Sequence, residues 1–147
     1  MSDVVIRSIA LGDRAAWEPL WIGYTTFYEK AVPPEVTDFT WDRLSRGVEL
    51  FGFLAVGSSG AIGLVQYLFH PSSWNRGGNC YLQDLFVVPS ARGQHVGRRL
   101  IESVAGAAKA KGASVLYWQT EEFNGTARRL YERVAKRSPF VRYDFDL

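Results

Sequence analysis

This chain of 147 residues has one cysteine, Cys80, and two histidines, His70 and His95. A lone cysteine excludes an intramolecular disulfide framework. It stands just before an apolar run, where a small buried residue is expected rather than a nucleophile. Neither histidine has a cysteine or carboxylate cluster beside it, so no metal site is expected. Charge of one sign is not in excess: 17 basic and 15 acidic residues give a formal charge of +2. That balance speaks against nucleic acid as a partner. No apolar run approaches the roughly 20 residues of a membrane span, so no membrane is expected as a partner. The amino-terminal Met-Ser-Asp-Val-Val lacks a basic region followed by an apolar one, so no signal peptide is read and a cytoplasmic protein is expected. Two phosphate-binding signatures are missing. The turn after the first apolar segment, Ile9-Ala-Leu-Gly-Asp-Arg, carries one glycine, too few for a dinucleotide-binding fold. No Gly-Lys-Ser or Gly-Lys-Thr occurs, which excludes a Walker loop.

What is present is an ordinary globular composition, 47% hydrophobic and 22% charged. The length suits one domain over residues 1–147. Aromatics reach 14%; they either fill the core or line a pocket. Val4 to Ile9 reads as a strand. Asp13 is placed to cap a helix to about Glu29, with Pro19 as a kink or a late start. Thr37 or Asp38 starts a shorter helix to Arg46. Leu50–Val56 and Ala61–Phe69, joined by Gly57-Ser-Ser-Gly60, read as a hairpin. Residues 70–79 read as a loop.

Cys80 to Val88 is a strand whose alternation sets Tyr81, Gln83, Leu85 and Val87 against Leu82, Asp84, Phe86 and Val88. The helical period then runs from Val96 to Lys111, with Gly112 as C-cap. Ser114–Thr120, a helix from Asn124 to about Lys136, and a last strand over Phe140–Phe145 complete the chain. The order β-α-α-β-β-β-α-β-α-β implies an α/β fold with a mixed sheet, since long helices separate the later strands while the hairpin is antiparallel.

Between the Cys80–Val88 strand and its helix lies Pro89-Ser-Ala-Arg-Gly-Gln-His-Val-Gly-Arg-Arg99. A glycine-bearing loop at a helix N-terminus aims backbone N–H groups at one anion, and a pyrophosphate needs such a cradle. Arg92, Arg98 and Arg99 gather there, either as added positive charge or as a solvated face.

With Asn124 and Tyr131 seven residues apart on the next helix, these segments resemble the GNAT superfamily of acetyl-CoA-dependent N-acetyltransferases. The likeness is nearest to the polyamine, thialysine and histone-type small enzymes. In the turn Arg92, Gly93, Gln94 and Gly97 fit, whereas His95 stands where the family usually has glycine. The resemblance implies a twisted, mostly antiparallel sheet splayed between its fourth and fifth strands. It implies acetyl-CoA as cosubstrate, held by Leu85, Phe86 and Val87, by the turn Arg92, Gly93, Gln94, His95, Val96, Gly97 and Arg98, and by Asn124. It also implies a homodimer.

Tyr131 is then the general acid for the leaving thiolate. Asp84 is the first candidate for the base that deprotonates the amine, with Glu121 and Glu122 behind it; it also suits a structural role at a strand bulge. Glutamate is usual at the place of Gln83, and glutamine is no base. Trp21, Tyr28, Gln83 and Glu121 are candidate substrate contacts, within a wider aromatic set that includes Tyr24, Phe27, Trp41 and Trp74. A polyamine, a lysine-like amino acid, a peptide lysine and an aminoglycoside all remain open as the amine. The alternatives are a non-catalytic acyl-CoA-binding regulatory module and, less in keeping with the charge, a nucleic-acid-binding module.

Overall fold

The computed structural model describes residues 3–147. Five strands form one sheet: β1 (Val5–Ser8), β2 (Phe51–Gly57), β3 (Gly60–Ser72), β4 (Asn75–Val87) and β5 (Val115–Tyr117). Their order in the sheet is β1-β2-β3-β4-β5. The first three pairings are antiparallel and β4–β5 is parallel. That gives the mixed, mostly antiparallel α/β sheet expected.

Helix α1 (Arg14–Phe27) and helix α2 (Pro34–Arg46) cover one face. Trp17, Leu20, Trp21 and Leu44 pack there on Leu54, Leu64 and Phe86. Helix α3 (Val96–Lys111) covers the other face. Its stripe of Val96, Leu100, Ile101, Val104 and Ala108 meets Ala55, Val65, Tyr67, Cys80 and Leu82. Helix α4 (Gly125–Val134) adds Leu130, Tyr131 and Val134 on that side. Among the described residues, no helix is long and apolar enough to cross a membrane.

The stop of α3 follows its sequence: Gly112 takes the left-handed conformation at φ 87° and donates to Ala108 and Lys109 carbonyls. Several other expectations need correction. The span 70–79 is not a loop; β3 and β4 run through it and turn at Ser73-Trp74. Asp13 does not cap α1, because its carboxylate is taken by Arg7 at 2.7 Å and by the Ala10 N–H at 2.7 Å. Pro19 sits inside α1 rather than at its start. Helix α2 begins at Pro34, where a missing N–H costs nothing. The last strand over Phe140–Phe145 does not form; residues 135–147 carry no regular structure.

One irregularity decides which way β4 faces. Gln66 pairs with Asp84 but Tyr67 pairs with Leu82, so Gln83 has no partner and forms a bulge. Before it, Cys80 and Leu82 face α3; after it, Leu85 and Val87 do. Asp84 and Phe86 therefore turn to the α1 side, and Leu82 does not share their face as simple alternation predicts.

Gly63 lets α3 lie close on β3. A Cβ there would stand 3.2 Å from Leu100 Cδ1 and 3.2 Å from the Phe86 carbonyl oxygen. The carbonyl is fixed in the ladder and cannot give way. We expect Gly63→Ala to cost about 1–3 kcal/mol, as overpacking does. A lowered urea midpoint at unchanged slope is the readout; an unchanged midpoint contradicts the close approach.

Candidate functional site

The sheet opens above Tyr81. The β4–β5 register runs Asn79↔Val115, Cys80↔Leu116, Tyr81↔Tyr117 and then stops, while β4 continues to Val87. Val88 N–H donates to Ile62 O on β3 at 2.9 Å. Backbone groups alternate in direction along a strand, so those of Phe86 also face β3, and those of Leu85 and Val87 face the gap. Of the three edge residues named from sequence, Leu85 and Val87 offer backbone donors and acceptors there. Phe86 instead packs its ring on Tyr24, centroids 6.4 Å apart, and against Gly23.

The turn closes one end of this gap. Pro89–Ala91 makes one 3₁₀ turn, with Ala91 buried. Arg92 folds back so that its Nε donates to Val87 O at 2.9 Å, with its guanidinium 5.7 Å from the Phe27 ring and 5.8 Å from that of Phe86. Gly93 and His95 both have positive φ, 81° and 63°. Val96 is buried and starts α3; Gly97 brings its first turn near Leu130 and Val87. Gly93, Gln94 and His95 are exposed, as is Arg98, which pairs with Glu102 at 3.2 Å. For a residue other than glycine, such as His95, the ordinary backbone is helical or extended. His95 is left-handed instead, the conformation that glycine adopts without strain and that costs other residues roughly 1–2 kcal/mol. Its ring is nevertheless turned to the surface.

On the α1 side, Asp84 is buried in a polar chain. Trp17 Nε1 donates to Gln66 Oε1 at 2.7 Å, which fixes the amide so that Gln66 Nε2 donates to Asp84 Oδ2 at 2.7 Å. Burial pushes the Asp84 carboxyl up to about 6, against the opposing pull of Gln66 and the Tyr24 hydroxyl. Tyr24 is itself driven upward by burial and by Asp84. Tyr28 stacks edge-on against Tyr24 at 5.1 Å and is raised by burial, then by Glu121 and Asp84. Glu121 is exposed at the mouth, and Gln83 is exposed on the bulge. Trp21 lies in the core of the α1 side. It is buried between Trp17 and Tyr24, with its indole N–H donated to Thr37 Oγ1 at 3.3 Å. Trp74 is exposed at the far hairpin turn, and Trp41 packs on Trp17.

From the α3 side comes Tyr131. Helix α4 is capped by Asn124, whose Oδ1 accepts from the Ala127 N–H at 3.4 Å while its Nδ2 donates to Thr120 Oγ1 at 3.5 Å. Two turns on, Tyr131 packs edge-on against Trp118 at 5.5 Å. Burial, then Tyr28, pushes its phenol up to about 12. Its hydroxyl makes no hydrogen bond among the described residues. Tyr131 adds to the upward push on Tyr24, and Tyr28 to that on Tyr131, so the phenols of the two sides lie within electrostatic reach of one another.

Sequence reasoning missed Gln66 and Tyr24 as the groups that hold Asp84. A glutamine in an otherwise apolar stretch, Gly63-Leu-Val-Gln66-Tyr-Leu-Phe, was the available signal. Cys80 is buried and its thiol is pushed up to about 11, an inert side chain. Among the described residues, no group of three or more His, Cys, Asp or Glu is placed to hold a metal ion. A cavity of about 540 Å³ lies elsewhere, lined by Arg43, Glu49, Phe51, Phe69 and Lys111, and none of the site residues touches it.

Comparison with known proteins gives consistent results. The model of the acetyltransferase (GNAT) family matches residues 15–135. The D-amino-acid N-acetyltransferase HPA3 of Saccharomyces cerevisiae is 38% identical over 143 residues, 95% of this chain and 89% of that protein. The thialysine N-epsilon-acetyltransferase of Bos taurus is 39% identical over 71 residues, 48% of this chain and 41% of its own length. A crystal structure of a probable acetyltransferase superposes with a TM-score of 0.86 at 26% identity, covering 97% of each chain.

The raised carboxyl of Asp84 fixes a pH dependence. In the unfolded chain it ionises near 3.8, in the folded one near 6. Between these values the unfolded state binds fewer protons, so stability falls as pH rises from about 4 to about 6 and levels above that. We expect Asp84→Asn, which keeps an acceptor for Gln66, to remove this slope and to stabilise the protein at pH 7 by about 2–3 kcal/mol. Denaturant curves of both proteins at pH 4 and pH 7 test it; parallel pH profiles would refute the burial of an ionised Asp84.

Proposed function

The chain belongs to the acetyltransferase (GNAT) family and is an acetyl-transferring enzyme, and on that premise we propose that it moves the acetyl group of acetyl-CoA to a primary amine by direct attack. The observation that carries this reading is the gap in the sheet. It has a free backbone edge at Leu85 and Val87, an anion-directed turn at one end, a buried carboxyl on one side and a buried phenol on the other.

In this reading the pantetheine arm lies along Leu85 and Val87 as an added strand, bonded to their open N–H and C=O groups. The diphosphate lies on the N–H groups from Gly93 to Arg98 at the start of α3, where the helix dipole favours negative charge. His95 keeps that direction of the N–H groups because it adopts the glycine-like conformation. Asn124 borders the same gap, with its side chain already engaged as the cap of α4. The Arg92 contact with Val87 O marks the acceptor that a bound pantetheine amide would compete for.

The amine enters from the α1 side. With a pKa of about 10.4 it arrives protonated and must lose a proton before it attacks. Asp84, ionised above about 6, takes that proton through the Tyr24 and Tyr28 surroundings, directly or by one water. Attack on the thioester carbon breaks its C=O π bond. A backbone N–H of the β4 edge stabilises the oxyanion. Collapse restores the carbonyl and expels the coenzyme A thiolate, which accepts a hydrogen bond from Tyr131 and takes up the second proton lost by the new amide nitrogen, leaving as the thiol. A phenol near 12 is a weaker acid than a free thiol at about 8.5, so Tyr131 acts by donating its hydrogen bond as the C–S bond breaks. Glu121 at the mouth suits a cationic substrate. The likeness to a D-amino-acid enzyme over nearly the whole chain favours a small amino acid over a polymer as the amine.

Acetyl-CoA and coenzyme A should raise the melting temperature by similar amounts, and NAD and ATP much less, since a ligand of the native state stabilises it in proportion to its binding. A larger shift with NAD overturns the cofactor assignment. Tyr131→Phe should lower kcat by roughly 10²–10⁴-fold at unchanged coenzyme A affinity. Thiol release measured across an amine panel, with coenzyme A titrations alongside, reads both; wild-type turnover reduces Tyr131 to packing.

A further inference from the structure

Strand β3 outruns its neighbour. β2 begins at Phe51, opposite Tyr67, whereas β3 runs on to Ser72 against β4 alone. The notch left beside Leu68 and Phe69 is the cavity of about 540 Å³ that lies apart from the catalytic gap. Its size is that of a small-molecule site, for which roughly 300–1,000 Å³ is usual. Helices α2 and α3 each bring one cation to it from opposite faces of the sheet. These are Arg43, in the last turn of α2, and Lys111, the last residue of α3.

A helix C-terminus favours a basic residue, which accounts for a cation at each end. It does not account for two cations lining one cavity without a counter-ion. Among the described residues, Lys111 makes no ion pair and no side-chain hydrogen bond; its Nζ lies 5.2 Å from the centroid of the Phe69 ring and 5.9 Å from that of Phe51. Arg43 donates no hydrogen bond among them either, and its Nε is buried without a partner. Glu49 Oε1 stands 4.0 Å from Arg43 Nη1, beyond hydrogen-bond distance, on a side chain 69% exposed. The cavity therefore keeps an excess of positive charge. The Arg43 guanidinium lies 4.5 Å over the Phe39 ring. Stacking covers one face of the guanidinium plane and leaves the in-plane N–H fork, whose geometry matches a carboxylate. Phe51 and Phe69 meet edge to face at 5.8 Å and give the same cavity an apolar wall.

We propose that this notch binds a small organic anion, a monocarboxylate on a flat apolar body. The carboxylate sits between Arg43 and Lys111, and the body lies on Phe51 and Phe69. Glu49 at the rim disfavours a second negative charge on the ligand. The notch shares no residue with the catalytic gap, so this does not rest on the reading of that gap.

The probe is 2-naphthoate, titrated calorimetrically into the full chain with and without coenzyme A. One equivalent should bind with a dissociation constant of about 1 mM or tighter, the range open to a ligand of that size. The affinity should be the same with coenzyme A present. The neutral 2-naphthamide should bind at least about tenfold more weakly, as should 2-naphthoate to Lys111→Gln and to Arg43→Gln, each of which removes a charge-assisted contact. Glu49→Gln should tighten binding, and added salt should weaken it. Inorganic phosphate should not displace the probe, since it has no apolar body. Melting curves show whether each variant is folded; Lys111 and Glu49 are exposed, so their variants carry the test if Arg43→Gln does not fold. Displacement of the probe by coenzyme A, equal affinity for the amide, displacement by phosphate, or unchanged affinity in folded Lys111→Gln each overturns the site, as does no binding at about 10 mM.

Discussion

The gap beside β4 is the constraint on which the rest of this structure depends. A strand interior to a sheet normally has both edges in ladders, and an unpaired backbone group away from water is costly. Here β4 is paired along its length with β3 but with β5 only up to Tyr81. Every feature of the site is arranged around the stretch left over. The parallel strand ends early, α4 starts after a short connection, and the turn after β4 folds Arg92 back to satisfy one of the free carbonyls. The open edge is therefore kept rather than healed, with helices packed on both faces to hold the sheet despite it.

The bulge at Gln83 gives the gap its two chemical sides. Without the extra residue, Asp84 would follow Cys80 and Leu82 into the apolar cluster under α3, with no partner there. With it, Asp84 turns to the α1 side and meets Gln66, whose amide is already oriented by Trp17. A buried carboxylate without partners would neutralise itself; one with a single strong donor and a nearby phenol keeps a pKa within reach of neutrality. The energy lost in burying the charge is the same energy that raises the carboxyl to about 6, the range the proposed base needs. Trp17 thus acts on the Asp84 carboxyl from the core, through one amide.

Long periodic elements were legible in the sequence, and single-residue devices were not. Helix α3 ran from Val96 to Lys111 as read, because an unbroken 3.6-residue stripe and a terminal glycine agree. The hairpin between β2 and β3 was marked by its glycines. Of the candidate site residues, Tyr131, Gly93 and Gly97 were named from a motif and Asp84 from its place on the strand, and the structure sets all four around one gap. The bulge was invisible, since Gln83 differs from its neighbours by nothing that a period-2 reading can detect. The burial of Trp21 was not legible, because an aromatic on a helix gives no sign of which neighbour meets its N–H, and here Thr37 does. The span 70–79 misled through its Pro, Gly and Asn residues, yet only Ser73 and Trp74 turn. Phe140–Phe145 has a strand's pattern, but a pattern needs an edge to pair with.

His95 shows where local preference yields to the surrounding structure. Positive φ at Gly93 is free of strain, whereas at His95 it opposes the residue's own tendency. Nothing at His95 itself repays this, since its side chain is exposed and caps nothing. The conformation must be imposed by what flanks it. Ala91 and Val96 are both buried, Arg92 is tied to Val87, and Gly97 is wedged against Leu130 and Val87. Four residues of fixed position leave one path for the chain between them, and that path passes through the left-handed region at residue 95. The direction of the N–H groups at the head of α3 is thus set by packing rather than by the residues of the turn. A histidine can therefore stand where a glycine would be easier, because the path of the turn is fixed by its neighbours.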